Sequence, residues 1–365
     1  MSFSLVIRTL VLPLLIFVSP VTAQSVLRVI EQNLGNELAA ELAQHEADLR
    51  QEGWKVETIT VPKRGRSELL QHVTLAEKTL WPRMAADPGV HIFFVGMCPL
   101  PYSGQALNPD GHPGTTGAYA CTAYYATPSE QWTDVRDNSG MLPSAKQRNV
   151  PGDGKFDQDY LPGAPLACIG FLDLSMLNPK SWGSLLDKTS FQRLKYREWF
   201  SNQHAYRTGM WSPRHLTANG RNSTLPSELF WNWSLAEYGV EPLFFNSVDG
   251  SSVQDFALGD EAPFGLMSDF KALNVSALWW AARSTPWSVL YLYYGSYQVD
   301  FGSTQLMNPL GGGGLATATT GFGNWELVGA SRLTLGQLWN QTLARNPKAL
   351  GTVLYGDPTL RLPER

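Results

Sequence analysis

The first seventy residues after position 25 constrain this chain most, because they alternate between two periodicities. Val26 to Ile30 is a short β-like run, and Glu37 to Arg50 is rich in Ala, Leu and Glu, with Gly53 as a stop. Trp54 to Val61 alternates and is rich in β-branched residues, which predicts a strand. Ser67-Glu68-Leu69-Leu70 opens a second helix reaching Ala85, Asp87-Pro88-Gly89 breaks it, and Val90 to Gly96 predicts a buried strand. Strand–helix–strand–helix–strand implies parallel pairing with helices on both faces. The expected class is therefore α/β, with a twisted, mostly parallel sheet.

Further elements follow a change of texture. Between Cys98 and Pro165 the chain is rich in Gly, Pro, Asp, Asn and Tyr, and long loops of this kind are commonly functional or braced by ions. Leu166 to Phe171 predicts a strand and Ser184 to Arg207 a long helix. Ser288 to Tyr294 reads as an aromatic strand, Gly311 to Gly314 as a flexible loop and Leu315 to Thr320 as a strand. Leu333 to Arg345 reads as a helix, and Gly351 to Tyr355 as the last strand. The Trp-, Asn- and Ser-rich stretch 208–250 is expected to join a lobe at 24–207 to a second at 251–365. No internal repeat is visible in the sequence.

The first 23 residues read as an export signal: Arg8 as n-region, Leu10 to Val18 as an apolar h-region broken by Pro13, and Val21-Thr22-Ala23 as a cleavage site. The expectation is a mature chain starting near Gln24, secreted or periplasmic, with no later membrane span. A hydrophobic share of 43% against 16% charged residues favours a filled core. A net charge of −4 argues against general nucleic-acid binding. Cys98, Cys121 and Cys168 allow at most one disulfide in an oxidising compartment, and Cys98–Cys121 is the expected pair, since one loop separates them. Their spacing does not suit zinc.

The chain ends in Thr352-Val353-Leu354-Tyr355-Gly356-Asp357-Pro358-Thr359-Leu360, which resembles the close of the gingipain-type cysteine-peptidase domain, a caspase-like fold. Val90 to Gly96 and the passage from Phe156 through Asp157, Gln158, Asp159, Tyr160, Leu161 and Pro162 to Phe171 are similar to that family as well. Phe171 stands where the family commonly has Arg. The resemblance implies a Cys–His dyad in the second half of the domain. The last cysteine here is Cys168 and the last histidine His215, so the dyad is missing. Asp260, followed by Glu261, stands in the His place, and Gly295-Ser296-Tyr297 occupies the nucleophile loop without a thiol. A carboxylate with a pKa near 4 is a weak base for a serine hydroxyl.

The reading is thus a pseudo-peptidase that acts by binding or assembly. One alternative is a hydrolase with a relocated site, using Ser296 with Asp260 or Glu261, or Cys98 with His112. A second is a glycan- or peptide-binding module using clusters such as Trp231 with Trp233 and Trp279-Trp280 with Trp287. Asp153, Asp157 and Asp159, joined by Asp134 or Asp137, form a candidate structural Ca²⁺ site, the alternative being a solvated Asp-Gly turn. His91 is expected in the core or at a strand end, and His204 and His215 show no patterned partner. Asn222, Asn232, Asn274 and Asn340 lie in sequons.

Overall fold

A computed structural model describes residues 24–65, 70–108, 116–213, 215–220, 227–245, 264–269, 288–293, 304–319 and 325–364. The first strands follow the expected order: β1 (Ser25–Glu31), β2 (Lys55–Val61) and β3 (His91–Val95). Helices α1 (Gln32–Glu37) and α2 (Ala39–Gln51) separate β1 from β2. The helix predicted before β3 is three pieces, α3 (Gln71–Leu75), a π-helical turn (Ala76–Leu80) and α4 (Trp81–Ala86). Its predicted start at Ser67 lies outside the described residues.

Short strands β4 (Tyr102–Ser103), β5 (Tyr119–Ala120) and β6 (Lys155–Phe156) form a separate three-stranded sheet inside the 98–165 loop, beside helix α5 (Ala123–Ala126). Strand β7 (Cys168–Leu172) then returns to the main sheet. The long helix α6 (Lys188–Arg207) begins where the Asp187 carboxylate accepts the backbone N–H groups of Thr189 and Ser190, both at 3.0 Å. Next come β8 (His215–Gly220), α7 (Ser227–Tyr238) and β9 (Leu243–Phe245), all within the stretch read as a junction. Strands β10 (Phe264–Asp269) and β11 (Ser288–Tyr293), helix α8 (Thr304–Gly311), strand β12 (Ala316–Thr319), helix α9 (Leu335–Arg345) and strand β13 (Leu354–Gly356) complete the order.

Among the described residues the main sheet has ten strands, in the order β2-β1-β3-β7-β13-β12-β11-β10-β8-β9. Every neighbouring pair is parallel except β12 and β13. The sheet therefore consists of two parallel blocks of opposite sense, joined where the last strand pairs parallel with β7 and antiparallel with β12. The blocks also share a winding. Counted from its own first strand, the first block runs 2-1-3-4 and the second 2-1-3-4-5, and β13, which follows β12 in the chain, runs in the sense of the first block. This topological repeat has no counterpart in the sequence pattern.

The centre of the sheet is buried on both faces, as parallel strands covered by helices must be. All five residues of β3 and of β7 are buried. The Phe94 ring stacks on Phe171 at 4.1 Å and on Tyr125 at 4.9 Å between centroids. Near β13, glycines allow close approach. A Cβ on Gly170 would collide with the Gly356 carbonyl and come within 2.7 Å of Pro358 Cδ, and one on Gly336 would come within 2.8 Å of Cys168 Cβ. Gly311 to Gly314, expected as a flexible loop, is buried. A Cβ on Gly311 would come within 2.8 Å of Leu177 and 3.0 Å of Trp182, so this glycine serves packing.

Candidate functional sites at the strand ends

Open α/β sheets place their sites outside the carboxyl ends of the strands, at a point where the winding reverses direction. Here there are two such points, between β1 and β3 and between β8 and β10. Because the blocks run in opposite senses, the two points face opposite edges of the sheet.

At the first point, Glu31 ends β1 and Gly96 follows β3. Gly96 has φ +92°, and a Cβ there would come within 2.7 Å of Glu31 Cβ and 2.8 Å of Leu34 Cδ2, so only glycine fits. The turn aims the Met97 N–H at Glu31 Oε2, 2.9 Å away. Asp173, just past β7, is 1% exposed and pairs with Arg64 at 3.1 Å. Glu37 pairs with Arg193 of α6. Beside Glu31 lies a crevice of about 200 Å³ whose walls include Glu31, Glu37, Lys63, Arg193 and Tyr196. None of these residues is among the candidate site residues that the sequence offered. The available signal was the strand-to-turn boundary at Glu31 and at Gly96-Met97.

At the second point, Asp269 closes β10 in register with Tyr293 at the end of β11. Asp260, Glu261 and Ser296 lie outside the described residues. Strand β10 was not foreseen, and Asp260 precedes it in the chain. His215, the last imidazole, opens β8 at the end away from the switch point.

The cysteines are all free and buried, which corrects the expected Cys98–Cys121 disulfide. Cys98 is just beyond β3, and its Sγ donates toward the carbonyls of Val95 at 3.3 Å and Val29 at 3.4 Å. Burial pushes the Cys98 thiol far above its usual range, with Asp173 and Glu31 adding to the shift. Burial likewise pushes Cys121 and Cys168 up to about 12. Thiols of this kind stay protonated and are poor nucleophiles. His112, the proposed partner for Cys98, lies outside the described residues.

Each aspartate of the candidate calcium loop accepts N–H groups. Asp157, 4% exposed, takes Thr133 Oγ1 at 2.7 Å and the N–H groups of Val135 at 2.9 Å and Arg136 at 3.2 Å, with Gln105 Nε2 at 3.0 Å. Asp159 takes the N–H groups of Gln105 and Ala106, and Asp134 those of Gly152 and Gly154. Asp153 takes Lys155 N–H at 3.0 Å and pairs with its ammonium, while Asp137 takes Ser139 N–H at 2.7 Å. Asp153, Asp157 and Asp159 are thus directed at different turns. Among the described residues no three His, Cys, Asp or Glu side chains group as metal ligands.

Every tryptophan among the described residues is buried or half-buried; Trp233, for instance, donates to the Leu327 carbonyl at 2.7 Å. Trp279, Trp280, Trp287, Asn222 and Asn274 lie outside them. Asn340 donates to the carbonyls of Pro165 and Ala167, and Asn232 is exposed. His91 is a core residue, bonded to Thr334 Oγ1 at 2.7 Å, and His204 faces Asp48 at 2.9 Å. Asp357, in the terminal motif, is fully buried. Its Oδ2 accepts from His45, Gln203 and Arg207, and its Oδ1 from Thr359.

These features define an α/β protein with two doubly wound parallel blocks in one sheet, locked by its C-terminal strand. No protein-family model matches the chain, and neither a curated protein nor a solved structure matches it. No helix among the described residues is long and apolar enough to cross a membrane.

Proposed function

We propose that this chain is an exported, gingipain-like protein of caspase-like fold that has no peptidase dyad and acts by binding or assembly. One observation carries the reading: all three thiols are buried at or before β7 and held protonated, away from the second switch point. The resemblance puts the dyad in the second half of the domain, where the chain has no cysteine after Cys168 and no histidine after His215. A thiol nucleophile needs its thiolate and a neighbouring imidazole to take and return the proton. The winding of the second block, followed by β13 and the Gly356-Asp357-Pro358 turn, supports the family likeness.

Fluorogenic Arg-, Lys- and Asp-directed peptides and an active-site cysteine probe test the proposal. The expected result is no turnover and no labelling. Turnover abolished by Cys98→Ala and kept in Cys168→Ala would overturn it in favour of a relocated thiol site. Turnover abolished by Ser296→Ala would overturn it in favour of a serine hydrolase.

A further inference from the structure

Two carboxylates, Glu31 and Glu37, line the crevice at the first switch point, with Asp173 just past the end of the neighbouring strand β7, and of these three only Glu37 and Asp173 are matched by a cation. Glu37 is paired with Arg193, and Asp173 with Arg64. Glu31 is 7% exposed, accepts one hydrogen bond at Oε2 from Met97 N–H, and forms no ion pair among the described residues. A carboxylate this buried without a cation is costly, and a cationic ligand group would relieve that cost. The fold fixes the carboxylate there, since Gly96 admits no side chain beside it.

The other walls indicate which cation. Glu31 and Glu37 oppose Lys63 and Arg193, so the lining is balanced rather than acidic. A bare metal ion would meet two cationic side chains and find too few oxygen ligands. A zwitterion suits both signs. Lys63, at the exposed rim, makes no ion pair among the described residues and is placed for the negative end. The volume of about 200 Å³ is roughly that of seven waters at ~30 Å³ each, the size of one amino-acid residue.

We infer that this crevice binds the α-ammonium group of an amino acid or peptide N-terminus on Glu31, with Lys63 facing the ligand's carboxylate when it has one. The site is independent of any peptidase chemistry at the second switch point. Its test is calorimetric titration of the full chain with free L-amino acids, a tripeptide with a free N-terminus, and their N-acetylated forms. Binding of the free amines, with N-acetylation weakening it at least tenfold, is the expected result. Glu31→Gln keeps the Met97 N–H bond and should remove binding while leaving the melting temperature equal or higher, because an unpaired buried charge is lost. Lys63→Ala should weaken free amino acids and leave amino-acid amides unchanged; stronger binding of the tripeptide than of any amino acid would identify a peptide N-terminus as the ligand. No binding by any free amine, equal binding of the N-acetylated forms, or unchanged binding in Glu31→Gln would overturn the inference.

Discussion

Nε2 of His45 donates a 2.8 Å hydrogen bond to Oδ2 of Asp357, joining side chains 312 positions apart in the chain. The same oxygen accepts from Gln203 at 2.7 Å and from Arg207 at 2.8 Å, so one carboxylate ties α2 and α6 to the turn after β13. Burial would raise the Asp357 pKa, but the Arg207 guanidinium and the His45 bond outweigh it and hold the carboxyl well below the usual range. The two blocks of the sheet meet at this strand, so the network fastens their junction.

Removing that carboxylate leaves Arg207 buried beside Glu52 alone. Breaking one side of a buried pair of this kind is worth about 3–5 kcal/mol. Asp357→Ala should therefore lower the unfolding free energy in urea by about that amount. A loss within ~0.5 kcal/mol, as at ordinary surface positions, would show that the network does not hold the junction.

Two buried histidines set an acid limit. Burial lowers both His72 and His91 to about 4, from an unfolded value of 6.5. Between those values the unfolded chain binds protons that the folded chain does not, so stability rises with pH through this window. Cooling of stability should begin as pH falls below 6.5 and level off near 4, totalling on the order of 3 kcal/mol for each histidine. Asp357 stays ionised throughout the window, because its depressed pKa defers its loss to still lower pH. Denaturation midpoints from pH 4 to 7 check the slope, and His91→Asn should flatten part of it.

The three cysteines should resist modification in the folded state, being buried and protonated. Mass spectrometry after iodoacetamide treatment should find no adduct on native protein and adducts on Cys98, Cys121 and Cys168 after denaturation. A native adduct on Cys98 would place an accessible thiol at the first switch point.

A methyl group at Gly170 would collide with the Gly356 carbonyl and Pro358, both at the β7–β13 contact. Overpacking of this kind costs about 1–3 kcal/mol, and more where the obstacle is backbone. Gly170→Ala should lower the melting temperature by several degrees, whereas Gly140→Ala, with open space around it, should not.

The aspartate loop separates two contributions. Asp157→Ala leaves three N–H donors and the Thr133 hydroxyl without their acceptor, and should destabilise the protein by about 2–4 kcal/mol with chelator present. Calcium bracing makes a different forecast, a melting temperature several degrees higher in millimolar calcium than in chelator, since an ion at a hundredfold excess over its Kd adds about 2.7 kcal/mol.

Local periodicity determined much of this protein. The alternation in Trp54 to Val61, the apolar run at Val90 to Gly96 and the helical composition of Ser184 to Arg207 are short-range signals, and the corresponding elements form close to where they were read. The parallel pairing of β1, β2 and β3 follows from helices lying between strands, so α/β class was legible too. Strand β10 was not, since its six residues, Phe264–Asp269, are too few and too irregular in alternation to read as a strand. Nor does spacing reveal that β13 inserts between β7 and β12, which turns two blocks into one sheet and sets their switch points on opposite edges. That choice depends on contacts between residues far apart in sequence, such as Gly170 with Gly356 and His45 with Asp357, and no local pattern encodes them. The isolation of Glu31 was hidden for the same reason: whether a carboxylate is paired depends on which cations the folded chain brings within reach.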